Sequence, residues 1–397
     1  MLNKFIELSE RTIEFTNCDF IRPQIEFLKQ RERLIGIKGS RGVGKTTLLL
    51  QFAKTELSKK NKLYVSLDNP YFAKNNLFEF TDEFVKNGGE YILLDEVHHY
   101  KDWSLTLKNI YDSFRDLKVI YTGSSLLKLT KGRTDLSRRT VINTLHGLSL
   151  REYINFTEKT NFQVYSLNEI LENHTEISKQ IITKIKPIQK YNEYVKIGYY
   201  PFFLENKNNY LFKLVEIVNQ ILETDLPFIA NISYANINKL KQLLQIISES
   251  VPFKPNLEKI SSQIEISKNT LKDYMFFLQE AMLILMLKSE KKISSNLAKP
   301  DKIYLFHPNL MYCLANENSN IGNIRESFFM NQLQVSNKVN YSEMGDFLVN
   351  QKYIFEIGGK NKTYKQIANI KNSFIAADDV EIGHKNTIPL WLFGFLY

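Results

Sequence analysis

The segment Gly39–Thr46, with the sequence GSRGVGKT, constrains this chain more than any other feature. It has the spacing G-x-x-x-x-G-K-[ST], in which the glycines let the backbone fold so that several N–H groups point at one anion. An apolar run, Leu34–Lys38, precedes it, and a helical pattern, Thr46–Leu57, follows it. A strand, a loop and a helix in this order are what a phosphate-binding loop requires. The segment therefore predicts a nucleotide site in a parallel α/β sheet.

The residue types of the loop predict how ATP and Mg²⁺ would be held. Lys45 is expected to reach the β- and γ-phosphates, and the Thr46 hydroxyl to ligate Mg²⁺. The positive end of the helix that begins near Lys45 adds to the attraction for phosphate. The predicted nucleotide ligands are Gly39, Ser40, Arg41, Gly42, Val43, Gly44, Lys45, Thr46 and Thr47.

Four apolar residues at 91–94 are followed directly by Asp95 and Glu96. They predict a buried strand that delivers two carboxylates to its C-terminal end, where ligands bind in such sheets. Asp95 is expected to hold Mg²⁺, and Glu96 to act as the general base on the attacking water. A nucleotide-gated signalling switch with little turnover often lacks this base, so Glu96 favours an ATPase.

Further polar residues follow the next predicted strand, Lys118–Thr122. Thr122 and Ser124 are candidates to hydrogen-bond the γ-phosphate or the water, although a plain polar turn also explains them. Arg138 and Arg139 are catalytic candidates that would stabilise transition-state charge, including across the interface of a homo-oligomer. A surface salt bridge explains the two arginines equally well.

His98 and His99 come directly after the acidic pair and one valine. The run Asp95–His98 matches the DExH signature of helicases, but no other helicase motif accompanies it. Adjacent residues on a strand or turn point apart, which argues against a metal site built from both histidines. We expect them to be packing or hydrogen-bonding residues.

The patterns along the chain predict four domains. Strand and helix patterns alternate through residues 1–156, as in a P-loop ATPase core with a parallel sheet, whereas 157–235 shows helices only and is expected to be a lid. Three helices and two β-like runs in 236–315 have the order of a winged helix. Residues 316–397 mix helix and strand. Other predicted elements are helices at Asn168–Glu172, at Ile177–Ile185 and from Thr363, and a last buried strand at Pro389–Tyr397.

Charge, cysteine count and apolar content indicate which cellular compartment and which binding partners to expect. The net charge of +9 favours a polyanion such as DNA, although surplus surface lysine explains it equally. Two cysteines, Cys18 and Cys313, cannot build a disulfide framework, which fits a reducing cytosol. Met1–Arg11 lacks the apolar core of a secretory signal, and the apolar block at Pro389–Tyr397 is too short to span a bilayer. We therefore expect a cytoplasmic protein without a membrane contact.

The predicted winged helix carries polar residues, most of them basic, where such modules touch DNA. These are Lys268, Asn269 and Lys272 at the start of its third helix, and Lys288, Lys291 and Lys292 between its β runs. Asp273, Glu280 and Glu290 dilute the basic patch. Winged helices also bind proteins, so an unknown protein partner is the alternative to DNA.

Several motifs taken together resemble one protein family. They are LDEVHHYKDW at 94–103, YTGSS at 121–125, DLSRR at 135–139 and GLSLREY at 147–153. The chain resembles, over its whole length, prokaryotic AAA+-type P-loop ATPases with a winged-helix segment and a C-terminal restriction-endonuclease-like domain of unknown function. The resemblance implies an AAA+-like α/β sheet with a helical lid, then a winged helix and a small α+β domain. It also implies a DNA-binding-type module. We therefore favour a Mg²⁺-dependent AAA+-type ATPase that couples hydrolysis to domain movement, with DNA as the favoured ligand of its C-terminal half.

The nuclease-like pattern implied by this resemblance is an acidic helix residue, an Asp on a strand and Glu-x-Lys on the next strand. Glu326, Asp346 and Glu356 fit it in order, as Mg²⁺ ligands for phosphodiester hydrolysis. Gly358 stands where the lysine is expected, and the nearest lysine, Lys360, would need a bulge to reach the site. We expect a degenerate, inactive site, with an ATP-dependent nuclease as the alternative.

Overall fold

The apolar runs in the first part of the chain form one parallel sheet, as predicted. Its strands are β1 (Leu34–Gly39), β2 (Lys62–Ser66), β3 (Tyr91–Asp95), β4 (Lys118–Ser124) and β5 (Val141–Thr144). They lie in the order β2–β3–β4–β1–β5, and every pairing is parallel. The central strands β1, β3 and β4 are buried almost throughout, which explains why the sequence shows continuous apolar runs there.

The register brings the carboxyl ends of the central strands to one edge of the sheet. Gly39 at the end of β1 lies beside Ser124 of β4, and Leu94 of β3 lies beside Tyr121 of β4. The loops after β1 and β3 therefore begin close together, with the end of β4 between them. Ligands of open parallel sheets bind at this edge.

The computed structural model describes residues 1–126, 136, 138–230, 232–250, 254–290, 299–314 and 320–397. The chain forms two units. The first comprises Met1–His146 and Phe228–Asn231, and the second comprises Gly147–Pro227 and Ile232–Tyr397. The division into four domains stays a prediction.

Helices of the first unit pack against its sheet. They are α1 (Leu2–Glu14), α2 (Lys45–Thr55), α3 (Leu77–Lys86) and α4 (Trp103–Ser113), with 3₁₀ helices at Pro23–Lys29, Pro70–Ala73 and Val97–His99. Helix α1 was not predicted. Its Leu2 and Phe5 share a buried core with Leu63 and Val65 of β2. Burying each such side chain stabilises the fold by about 1.5–3 kcal/mol.

The second unit begins with helices, and its described residues before α10 contain no strand. The elements are α5 (Leu150–Thr157), α6 (Leu167–Ile182), α7 (Pro187–Ile197), a 3₁₀ helix at Pro201–Leu204, α8 (Tyr210–Gln220), a π-helical segment at Ile221–Asp225 and α9 (Leu226–Ala230), whose residues from Phe228 onward belong to the first unit. The two helices predicted within residues 168–185 are one helix, α6, and α7 was not predicted. A capping box of Ser166 and Glu169 starts α6.

The next elements have the order predicted for a winged helix. They are α10 (Tyr234–Ser250), α11 (Leu257–Gln263), α12 (Lys268–Glu280) and the antiparallel strands β6 (Ile284–Leu287) and β7 (Lys302–Leu305). Ser267 caps α12 by accepting a hydrogen bond from the N–H of Thr270. The identity of this segment as a winged helix stays a prediction.

The C-terminal part is a separate α+β arrangement. Its elements are α13 (Pro308–Leu314), α14 (Ile321–Leu333), β8 (Val339–Tyr341), β9 (Phe347–Val349), β10 (Tyr353–Gly358), β11 (Ser373–Ala377) and β12 (Thr387–Pro389). The sheet order is β12–β11–β10–β9–β8. Strands β8 to β10 pair antiparallel and β10 to β12 pair parallel.

Two predicted elements in this part are wrong. The helix predicted from Thr363 is a single 3₁₀ turn, Tyr364–Gln366. The strand predicted at Pro389–Tyr397 is largely a 3₁₀ helix, Leu390–Phe395, in which every residue is buried. A continuous apolar run has no periodicity that distinguishes a buried strand from a buried helix. Within the described ranges, no helix has both the length and the apolar character to cross a membrane.

Candidate nucleotide-binding site

Glycines shape the loop between β1 and α2. Gly42 and Gly44 have φ of 82° and 92°, in the left-handed region that other residues avoid. A Cβ on Gly39 would lie 2.3 Å from the carbonyl oxygen of Leu145. Ser40 Oγ is buried and has no hydrogen-bond partner among the described residues. A buried, unpaired hydroxyl in a loop that opens a helix fits an anionic ligand at this place.

Lys45 lies between this loop and the acidic end of β3. It is 5% exposed, and its Nζ donates to the carbonyl oxygens of Gly39 and Ser40 at 3.2 Å each. The same Nζ lies 4.0 Å from Glu96 Oε1. The ammonium is therefore held where the loop and the carboxylates meet, which is where P-loop ATPases bind the terminal phosphates.

The structure brings Thr46 and Asp95 together. Thr46 Oγ1 donates to Asp95 Oδ2 at 2.7 Å, and Thr122 Oγ1 donates to Asp95 Oδ1. Burial and the neighbouring Glu96 raise the pKa of Asp95, whereas the Thr122 and Thr46 hydroxyls and Lys45 act in the opposite direction. Hydroxyl and carboxylate oxygens are ligands that Mg²⁺ accepts, so the donor set fits this ion.

Glu96 stands at a sharp change of backbone direction. Its φ is 53°, an uncommon value for a residue other than glycine, and the chain then forms the 3₁₀ helix Val97–His99. The Glu96 N–H donates to Thr122 Oγ1 at 3.1 Å, which helps to hold this conformation. The side chain is 22% exposed, so water can reach the carboxylate.

The same turn brings His98 and His99 together. Their ring centroids are 4.3 Å apart, so the expectation that the two rings point apart is wrong, because the chain forms a 3₁₀ turn here. His98 Nδ1 lies 3.3 Å from Glu96 Oε2 and accepts the N–H of Ser124 at 3.4 Å. Burial, with smaller contributions from His99 and Lys45, lowers the pKa of His98 to about 2.

Sequence reasoning missed two residues of this site. Tyr64 on β2 donates its hydroxyl to Asp95 Oδ2 at 3.0 Å. Arg22, which is 5% exposed, donates to the carbonyl oxygens of Val43 and His146 at 3.3 and 2.8 Å and so braces the phosphate loop. Knowledge that β2 lies beside β3 would have indicated Tyr64, whereas no local pattern marks Arg22.

Residues 31–154 match a family model described as an AAA domain. This match supports a nucleotide-binding ATPase of the P-loop class. Residues 188–320 match a second model, described as a domain of unknown function (DUF8612). Each model covers about a third of the chain.

An uncharacterized protein of Methanocaldococcus jannaschii, MJ1637, is 27% identical over 288 residues. The match covers 69% of this chain and 60% of that relative, so the chain spans less than two thirds of its length. The Hsp104–ADP complex of S. cerevisiae is 16% identical with a TM-score of 0.34, over 67% of this chain and 52% of that chain. AMPPCP-bound DnaA from Aquifex aeolicus is 15% identical with a TM-score of 0.25, over 70% and 88%.

The arginines predicted to act in catalysis lie at the surface. Arg139 Nε and Nη2 donate to the Asp112 carboxylate at 2.8 and 3.0 Å. This is a salt bridge of the kind given above as the alternative to a catalytic role. The Arg138 side chain is exposed, and Thr47 is exposed at the start of α2. Their roles toward the nucleotide stay predictions.

The three acids predicted for a nuclease-like site are paired with lysines. Lys302 Nζ lies 3.2 Å from both Glu326 Oε2 and Asp346 Oδ1. Lys362 Nζ lies 2.6 Å from Glu356 Oε1. Among the described residues, the oxygens of the three carboxylates do not all converge within 4.8 Å. The acids therefore take part in ion pairs within the second unit.

Gly358 makes room for Lys362. A Cβ on Gly358 would lie 2.6–2.7 Å from the Cβ, Cγ and Cδ atoms of Lys362. Lys360 is the nearest lysine in sequence, but it is Lys362 that pairs with Glu356. Lys360 instead pairs with the exposed Asp379 at 3.2 Å.

One of the predicted DNA-contacting lysines pairs through its side chain within the chain, and another takes part through its backbone. Lys268 pairs with Glu258 at 2.5 Å. The carbonyl oxygen of Lys288 accepts hydrogen bonds from Tyr341 N at 3.0 Å and Asn340 Nδ2 at 3.3 Å, which joins the end of β6 to β8. Lys291 and Lys292 lie outside the described residues. The DNA contact stays a prediction.

Proposed function

We propose that this chain binds ATP with Mg²⁺ at Gly39–Thr46 and hydrolyses it. The hydrogen bond of 2.7 Å between Thr46 and Asp95 carries the proposal. It joins, from two separate elements, the hydroxyl and the carboxylate that hold Mg²⁺ in P-loop ATPases. When bound there, Mg²⁺ would supply positive charge against the phosphates.

The surrounding side chains support a division of roles. Lys45 would exchange its loop carbonyls for phosphate oxygens, and Glu96 would accept the proton of the attacking water. Thr122 contacts both acidic residues, since its hydroxyl donates to Asp95 and accepts the N–H of Glu96. Thr122 would therefore keep the metal ligand and the base at a constant separation during turnover.

Phosphate release by the full chain tests this function. We expect release that requires both ATP and Mg²⁺ and stops in EDTA. Asp95→Asn should need at least about tenfold more Mg²⁺ for the same rate, while Asp116→Asn, an exposed control on the same unit, should behave as wild type. ATP binding without turnover would contradict hydrolysis and favour the signalling switch. Adding single- or double-stranded DNA to the same assay tests the predicted DNA association.

A further inference from the structure

Glu96, His98 and His99 form a group whose ligand atoms converge. One oxygen of Glu96 and one ring nitrogen of each histidine all lie within 4.8 Å of one another. Across the part of the chain that the structure describes, this is the only group of three or more His, Cys, Asp or Glu side chains with that property. The three residues come from one turn, so no other element has to move to assemble them.

The hydrogen bonds of His98 leave a buried group unpaired. If Nδ1 accepts the N–H of Ser124, it faces the Glu96 oxygen at 3.3 Å as one lone pair against another. If Nδ1 carries the proton instead, it can no longer accept the hydrogen bond from the N–H of Ser124. In both cases Nε2 is buried without a hydrogen-bond partner among the described residues. A cation at Nδ1 would take the place of the Ser124 hydrogen bond and accept lone pairs from this nitrogen and from the Glu96 oxygen, so that the two no longer repel each other.

We propose that Glu96, His98 and His99 bind a divalent transition metal ion, for which zinc is the best fit, and that this ion inhibits ATP hydrolysis. Imidazole and carboxylate together favour zinc over magnesium, which prefers oxygen ligands. Zinc–ligand distances of about 2.1 Å place the ligand atoms of a tetrahedral site about 3.4 Å apart. The distance of 3.3 Å between His98 Nδ1 and Glu96 Oε2 matches that spacing. Rotation of the half-buried His99 ring would bring one of its nitrogens to the third ligand position.

The inhibitory effect rests on the proposed function, because Glu96 is also the proposed base. A carboxylate that is bound to zinc is a weaker base, because the ion withdraws its electron density, and it therefore accepts a proton from water poorly. Lys45 and Thr46 are outside the group, so ATP would still bind while turnover stops. The turn after β3 would then make the ATPase sensitive to free transition metal ions.

Zinc binding is tested first, without nucleotide. The metal-free full chain is titrated with zinc chloride in competition with a fluorescent zinc chelator. We expect one ion per chain, with affinity at least about tenfold lower in His99→Ala. His384→Ala, an exposed histidine in the second unit, is the matched control and should bind zinc as wild type does. No binding by wild type, or equal binding by His99→Ala, would overturn the site. If thermal melting shows that His99→Ala is unfolded, His99→Gln replaces it.

Inhibition is tested second, by adding zinc to the ATPase reaction at excess Mg²⁺–ATP. Relative to its own zinc-free rate, His99→Ala should need more zinc for half inhibition, by the same factor as its loss of affinity. Equal inhibition of both proteins would overturn the regulatory role. Zinc binding that depends on His99 in a chain without ATPase activity would overturn the proposed function and leave the metal site standing.

Discussion

The two acidic sites of this chain differ in what faces their carboxylates. Asp95 in the first unit accepts hydrogen bonds from neutral hydroxyls. Glu326 and Asp346 in the second unit share the ammonium of Lys302, which lies 3.2 Å from each. Hydroxyls orient Asp95 without pairing it with a positive charge, and Lys45 of the same site lies 4.0 Å from Glu96. The carboxylate of Asp95 is therefore open to an external cation, whereas Lys302 occupies the corresponding place in the second site.

The pKa shifts in the second site follow from this pairing. Burial and the nearby Asp346 raise the pKa of Glu326, while Lys302 and the hydroxyl of Tyr304 oppose the rise. Burial lowers the pKa of Lys302, but the two carboxylates outweigh it and the pKa is raised. Each charge therefore depends on the others, and the loss of one partner leaves a desolvated charge unpaired.

The largest effect is expected at Lys45, because it is the cation of the first site that would bind the ligand. Lys45→Ala should lower ATP affinity at least about a hundredfold, since charge-assisted bonds to phosphate are lost. Titration with a fluorescent nucleotide measures this, with thermal melting to verify the fold. Lys59→Ala, exposed in the loop after α2, is the control. Wild-type affinity in Lys45→Ala would show that this loop is not the nucleotide site.

Glu96→Gln separates binding from hydrolysis. The amide cannot accept a proton, so the rate of ATP turnover should fall at least about a hundredfold while ATP–Mg²⁺ still binds. Single-turnover hydrolysis and nucleotide titration measure the two effects separately. Glu83→Gln, exposed on α3, should match wild type in both assays. If Glu96→Gln turns over at the wild-type rate, another residue activates the water.

Lys302→Met tests whether the second site depends on its own cation. Removing the ammonium leaves Glu326 and Asp346 facing each other, and should lower the free energy of unfolding by about 3 kcal/mol at neutral pH. Lys360→Met breaks the exposed pair with Asp379, whose side chains are 63% and 53% exposed, and should cost about 0.5 kcal/mol or less. Urea denaturation measures the free energy of unfolding of both variants. Equal losses would contradict the view that the second site depends on Lys302.

The pH dependence of Lys302→Met sharpens the same test. The pKa of Glu326 is raised above 4.5 in the folded chain, and the loss of Lys302 should raise it further. The folded variant then binds a proton that the unfolded chain does not, so its stability is recovered as the pH falls toward 4.5. Urea denaturation at pH 7 and pH 5 should show that Lys302→Met lowers the free energy of unfolding, relative to wild type, by less at pH 5. A larger penalty at pH 5 would mean that another group controls this site.

The smallest effect is expected at Tyr64, where one neutral hydrogen bond is lost. Tyr64→Phe removes the hydroxyl that contacts Asp95 Oδ2 and leaves the ring in place. We expect the apparent affinity for Mg²⁺ to fall about fivefold, which is equivalent to about 1 kcal/mol. Mg²⁺ titration of ATP hydrolysis measures this change. Tyr91→Phe at the opposite end of the sheet serves as control, and an equal change in both would exclude a specific role for the hydroxyl.

By itself, the sequence determined the parallel sheet and the residues around the phosphate loop. The spacing of Gly39–Thr46 and the apolar runs before Gly39 and Asp95 are local, and local patterns report backbone conformation and burial directly. The positive φ of Gly42 and Gly44 is a consequence of the same motif. These predictions needed no knowledge of what lies across the fold.

The tertiary structure alone decided which charges meet. Tyr64 contacts Asp95 because β2 lies beside β3, and Lys362 contacts Glu356 because Gly358 leaves space for its side chain. His98 reaches Glu96 because the backbone turns in a left-handed conformation after β3. Such contacts depend on strand order and turn direction, and the periodicity of a sequence reports neither.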